Sequence, residues 1–342
     1  MPGLQMFIFS LIAVFYIALI VMQLGDTRGE LRIFRVIFPP RRQRTVPWGI
    51  AAILLAIPVV IWCSVMASWA VNAIFPEKMA FLNESTVTQP EIAILAPGEE
   101  PVVDHVASDE RLINPFSQEE LSEQHQLTIL MQKAGRYPII IIVCFLMAVV
   151  VAPLSEEFLF RVLLQGGIEA TLRREYGLSA WCKRIPILVT ALIFAAIHIR
   201  APQETIDGHY IDLLFKGFVA NIAGSLAAIF ILVILLRKLY RIRWSDIGLW
   251  DFKRLPRDAA GALLLLLVIL LPILIVNYSV TTLAKQLDIP GSVTDPVPLF
   301  LLAMVLGTLY FRTRRFVTVF FLHAFFNLFS FLMMLYLAFF AE

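Results

Sequence analysis

The chain has 342 residues, 59% of them hydrophobic and 16% charged, with a mean hydropathy of +0.81. A soluble globular chain is nearer 45–50% apolar and about 25% charged, so this composition excludes an ordinary soluble domain. The net charge is +2, with no basic, aromatic-interleaved patch of the kind that binds nucleic acid, and the three cysteines form no C-x-x-C pair.

The apolar residues come in long runs rather than in alternation, which predicts an all-α membrane protein of about eight spans. Leu4 to Leu24 is the first. No Lys or Arg precedes it and no small-residue cleavage site follows it, so it reads as an anchor. The six arginines between Gly25 and Trp48 place that loop in the cytoplasm and the N-terminus outside. Gly49 to Phe75 is the second span, with a kink expected at Pro58.

Residues 76–136 carry eleven acidic groups against four basic ones, which predicts an extracytoplasmic loop. Ser117 and Glu120 have capping-box spacing and predict a helix near its end. Pro138 to Leu154 is the third span; it continues as helix through Ser155–Arg161 to about Arg174, with a bend at Pro153. Ile185 to Ile199, Ile211 to Leu236, Ala259 to Val280, Pro298 to Phe311 and Phe316 to Phe340 complete the set, with a kink at Pro272. The intervening Arg and Lys clusters fall on one side, and both termini fall on the other. Three regions follow: two anchors (1–75), the acidic loop (76–136) and a core (137–342).

Three short patterns place ionisable groups in apolar helices: Glu156-Glu157-x-x-x-Arg161, Phe194-x-x-x-His198 and His323-x-x-x-Asn327. The outer residues of each are four apart and share a helical face. A charged group at mid-membrane costs about 2.5–3.5 kcal/mol on insertion scales. Glu157 and Arg161 can offset each other, whereas Glu156 points about 100° away and is left over. A carboxylate with an imidazole can activate water, and an imidazole with an amide can stabilise an oxyanion. The same groups are also ordinary ligands for a divalent metal such as zinc. No H-E-x-x-H, G-x-S-x-G or Gly-rich phosphate loop is present.

Taken together and in this order, the three patterns resemble those of the CPBP family of intramembrane proteases, also called the ABI or CAAX-protease family, which includes the type II CAAX prenyl endopeptidase. The resemblance covers roughly residues 135–335 and implies a hydrolase acting on a membrane protein or lipidated peptide. It implies a site of Glu156, Glu157, His198, His323 and Asn327, supported by Arg161 and Phe194. Glu156 and His198 would activate the water, His323 and Asn327 would hold the oxyanion, and Glu157 would pair with Arg161. In a metalloprotease version Glu156, His198 and His323 would be the ligands. Where the family often has Gly after the Arg, this chain has Val162. The expected location is the plasma (inner) membrane. A proton-coupled transporter is the competing class, because Glu, His and Arg in membrane helices also suit proton relays; a non-catalytic scaffold or immunity protein is the third. Counted from the cytoplasmic ends of the spans, Glu156 and His323 fall near the inner side and His198 further out, which separates the residues of one supposed site.

Overall fold

The computed structural model describes residues 2–25, 36–39, 46–75, 138–177, 181–199, 208–249, 252–287 and 296–339. The acidic region 76–136, with its expected capping-box helix, lies outside them. Eight helical segments account for nearly all described residues: α1 (Pro2–Gly25), α2 (Ile50–Ile74), α3 (Pro138–Tyr176), α4 (Trp181–Ala196), α5 (Gly208–Tyr240), α6 (Leu255–Gln286), α7 (Pro296–Thr313) and α8 (Phe316–Phe339). No strand occurs among the described residues. Six of these helices contain a stretch long and apolar enough to cross a bilayer, and α1 and α4 carry shorter apolar stretches. The order and approximate bounds match the expected spans. Pro58, Pro186 and Pro272 lie inside continuous helices.

Helix α3 is the axis of the bundle. It packs against α5 and α8 along its first half and against α4 and α2 along its second, with α7 beside the middle. It is not α-helical throughout. Residues Leu146–Val151 and Phe158–Gln165 are π-helical, on either side of a short α-helical piece, Ala152–Glu157, that holds both carboxylates. Single turns of π-helix inside an α-helix are rare and occur often at functional sites. The main apolar core gathers Leu163, Leu232, Leu265, Leu306 and Leu322, among others, between the helices. Val162, where the family often has Gly, is fully buried in it.

The arginine-rich helix ends meet at one end of the bundle. Arg314, in the α7–α8 turn, pairs with Glu169 of α3, which also takes Arg173 at 2.7 Å. Arg315 pairs with Asp258 at the start of α6. Arg312 donates to the carbonyls of Leu24 (3.0 Å) and Gln23 (3.3 Å) at the end of α1, and to that of Phe38 (2.8 Å). Arg174 reaches Pro47 O and Arg257 reaches Val36 O. The arginines at 312, 314 and 315 are therefore buried structural groups. That arrangement fits the cost of burying an unpaired charge, which ionic partners and carbonyl acceptors offset.

Candidate active site

The site lies halfway along α3. Arg161 Nε donates to Glu157 Oε2 at 3.0 Å, the i, i+4 pair that the spacing predicts. Both side chains are completely buried. The other oxygen of Glu157 has a partner on α8, since His323 Nδ1 lies 2.8 Å from Glu157 Oε1. A carboxylate only accepts, so Nδ1 carries the proton and Nε2 is turned the other way. Nε2 faces Glu156 Oε2 at 3.7 Å. Glu156 keeps 25% of its side chain exposed, whereas Glu157 has none. The two adjacent carboxylates are thus divided, as their angular separation on the helix requires. Glu157 is consumed by structure and Glu156 is left open.

His198 follows the last turn of α4 and is half-buried. Its Nδ1 lies 2.6 Å from Phe194 O, which sets that nitrogen as donor and leaves Nε2 available. The Phe194 ring is the hub that joins the pieces. It lies 4.6 Å from the His198 ring, 5.9 Å from the His323 ring and 5.2 Å from the Phe160 ring, centre to centre. Arg161 stands over its face at 5.8 Å. Phe194 does more than pack beneath His198, because it sets both imidazoles against one surface.

The expected separation in depth does not occur, and the reason is local. Glu156 stands about 20 residues above the Tyr176 end of α3, and His198 about 17 residues above the Trp181 end of α4. At ~1.5 Å per residue both are about 25–30 Å from those helix ends. Taking Leu154 as the inner boundary of the third span placed Glu156 too near the cytoplasmic side, and α4 starts four residues earlier than expected.

Asn327 is half-buried, and its Nδ2 donates to Ala148 O, in the first π-helical stretch, at 2.8 Å. His198 and His323 therefore flank Phe194, and His323 faces both carboxylates, while Asn327 engages the backbone of α3.

Several polar residues were missed. Gln165 and Glu169 continue the row that begins with Glu157 and Arg161, every fourth residue as far as Arg173. Gln165 is fully buried and donates from Nε2 to Gly307 O at 2.9 Å. Arg161 Nη1 reaches the Thr190 hydroxyl of α4 at 3.5 Å. The signal was readable as a fourfold spacing of polar residues in an apolar helix. An i+4 row drifts around an α-helix, and the π-helical turns, which hold more residues each, rotate it back toward α7 and α8.

Residues 138–329 match the family described as type II CAAX prenyl endopeptidase, Rce1-like. The chain belongs to that family. No curated protein and no solved structure matches it. Membership makes this an integral membrane protein of the CAAX-protease type and favours peptidase chemistry over a carrier or a scaffold. All three sequence patterns fall inside the matched region.

A metal was the alternative use of these residues, with Glu156, His198 and His323 as ligands. Carboxylate oxygen and imidazole nitrogen are suitable donors. Among the described residues, however, no group of three or more His, Cys, Asp or Glu side chains is close enough to hold an ion. The donor set does not fit a metal in this arrangement.

Proposed function

We propose that the chain is an intramembrane endopeptidase in which Glu156 and His198 activate a water and His323 stabilises the oxyanion of the scissile carbonyl. The substrate class is a lipidated, CAAX-type peptide or a membrane protein with a cleavable peptide bond in reach of the site. The observation that carries the reading is the 3.7 Å separation of Glu156 Oε2 and His323 Nε2. It is too long for a direct hydrogen bond, which leaves both groups free to engage a reacting group between them, Glu156 at the water and His323 at the carbonyl oxygen.

Charge supports the roles. Glu156, Glu157 and Arg161 together leave one negative charge in a largely buried setting. A second proton on His323 makes the group neutral, which suits an interior that disfavours net charge. It also makes Nε2–H a donor aimed at the space beside Glu156. Glu156 takes a proton from the water as its oxygen attacks the carbonyl carbon. The imidazolium donates to the oxygen on which negative charge develops. His198 Nε2, the open nitrogen of a half-buried ring, orients the water. The proton held by Glu156 then passes to the leaving amine as the C–N bond breaks, which closes the cycle.

The test is hydrolysis of a prenylated peptide by the purified protein in proteoliposomes, followed by mass spectrometry of the products. Glu156→Gln and His198→Ala should each lower turnover by about 10²–10⁴-fold, the usual contribution of a positioned acid or base. Intact turnover in both variants would remove this assignment. No step is routed through a metal, so turnover should survive prolonged chelation, and restoration by added zinc after a loss would return the metal reading to the front.

A further inference from the structure

The backbone of α3 has a gap in its hydrogen bonding just before the carboxylates. Ala152 N–H donates to Met147 O, a five-residue step that belongs to the π register. The carbonyl of Ala148 therefore cannot receive Ala152 N–H, its partner in an α register. Its partner in the π register would be the amide of residue 153, and residue 153 is proline, which has no N–H. Neither register supplies a donor. Inside a membrane bundle an unsatisfied carbonyl is costly, and prolines are tolerated where a side chain from a neighbouring helix fills the gap. Asn327 Nδ2 does so, at 2.8 Å from Ala148 O.

We propose that Asn327 is a positioning residue: its side-chain amide supplies the hydrogen bond that Pro153 withholds from Ala148, and this fixes His323 against the carboxylates of α3. The inference rests on the reading of the site given above. Asn327 lies four residues beyond His323 on α8, so the two residues reach α3 from one helical face. His323 holds Glu157 and Asn327 holds Ala148, which makes two rungs between the same pair of helices. The single hydroxyl proton of Ser155 is shared between Val151 O (2.9 Å) and Ala152 O (3.0 Å) in the same stretch. With both rungs in place, sliding or rotation of α8 is blocked and His323 Nε2 stays opposite Glu156. Loss of the second rung leaves His323 with one tether. The role differs from that of an oxyanion donor, because the acceptor is the enzyme's own backbone and is present without substrate.

The experiment is a double-mutant cycle on the full chain with Asn327→Leu, Pro153→Ala and the combination, read by peptide turnover and by thermal unfolding in detergent. Alanine at 153 restores an N–H that can donate to Ala148. The proposal expects Asn327→Leu alone to lower both turnover and melting temperature. In the Pro153→Ala background the same substitution should cost at least tenfold less in turnover and little in melting temperature. An equal loss of turnover in both backgrounds overturns the proposal and returns Asn327 to the oxyanion. If Pro153→Ala fails to fold, the melting temperature of substrate-free Asn327→Leu decides. A drop supports the backbone bond, and an unchanged or raised value overturns it. If the wild-type protein hydrolyses no peptide, the functional reading fails, while the melting measurements still decide the role of the bond.

Discussion

Glu156 and Glu157 are neighbours in sequence with opposite fates. Glu157 is fully buried, with one oxygen on Arg161 and the other on His323. Removing its charge leaves a buried guanidinium without its ion-pair partner, and breaking a buried pair from one side costs about 3–5 kcal/mol. Glu157→Gln should therefore lower the melting temperature of the purified protein clearly and lose activity with it. Glu156 is partly exposed and faces His323 Nε2 at 3.7 Å, across a gap too wide for a direct hydrogen bond. Glu156→Gln should unfold with the wild-type protein. Circular dichroism melts of the two variants, side by side in one detergent, separate a structural carboxylate from a chemical one. The division was legible in part. The i, i+4 spacing gave the Glu157–Arg161 pair and left Glu156 over. The second partner of Glu157 was not legible, because it depends on where α8 sits against α3 and no local spacing carries that information.

At the scale of elements, α3 organises the site through an irregular backbone. Its continuity through Ser155–Arg161 was readable, because the apolar pattern runs on past the charges. Its π-helical stretches were not, since a π turn has no residue signature comparable to Gly or Pro in a turn. They matter for the polar row from Glu157 to Arg173, which they keep turned toward α7. There α7 presents Gly307. A Cβ added at Gly307 would lie 3.1 Å from Ile187, 3.2 Å from Gln165 Oε1 and 3.5 Å from Arg161 Nη1. Val at that position overpacks the junction of three helices, at about 1–3 kcal/mol. Gly307→Val is expected to melt lower than Gly307→Ala, and to weaken turnover more, because the pressure falls on the arginine that holds Glu157. Gly248, between α5 and α6, has φ +79°, and a Cβ there would run into the backbone of Phe316 at the start of α8. Gly248→Ala should destabilise the start of the helix that carries His323, visible as faster amide exchange through Phe316–Val319.

For the whole molecule, the family match begins at residue 138, yet the bundle does not divide there. Helix α1 packs on α6 and α7, and α2 packs along α5. Arg312, inside the matched region, holds the last carbonyls of α1. Composition announced the membrane, the long apolar runs announced the helices, and the Arg clusters announced a common end of the bundle. Their burial was hidden, because a surface arginine and a buried one that caps a helix look alike in sequence. Hydrogen bonds from a charged donor are worth about 1.5–3 kcal/mol, so Arg312→Met should lower the melting temperature by a corresponding amount and expose α1 to added protease. A chain cut to 138–342 is expected to fold poorly in detergent, and recovery on co-expression with residues 1–75 would show the two parts assembling.

The central claim is that Glu156 performs the chemistry of a site whose other carboxylate is structural. The most direct measurement is turnover of a prenylated peptide by Glu156→Gln in proteoliposomes, with its melting temperature recorded on the same preparation. A loss of about 10²–10⁴-fold in turnover with an unchanged melting temperature is expected. Turnover at the wild-type rate by the folded variant would contradict it.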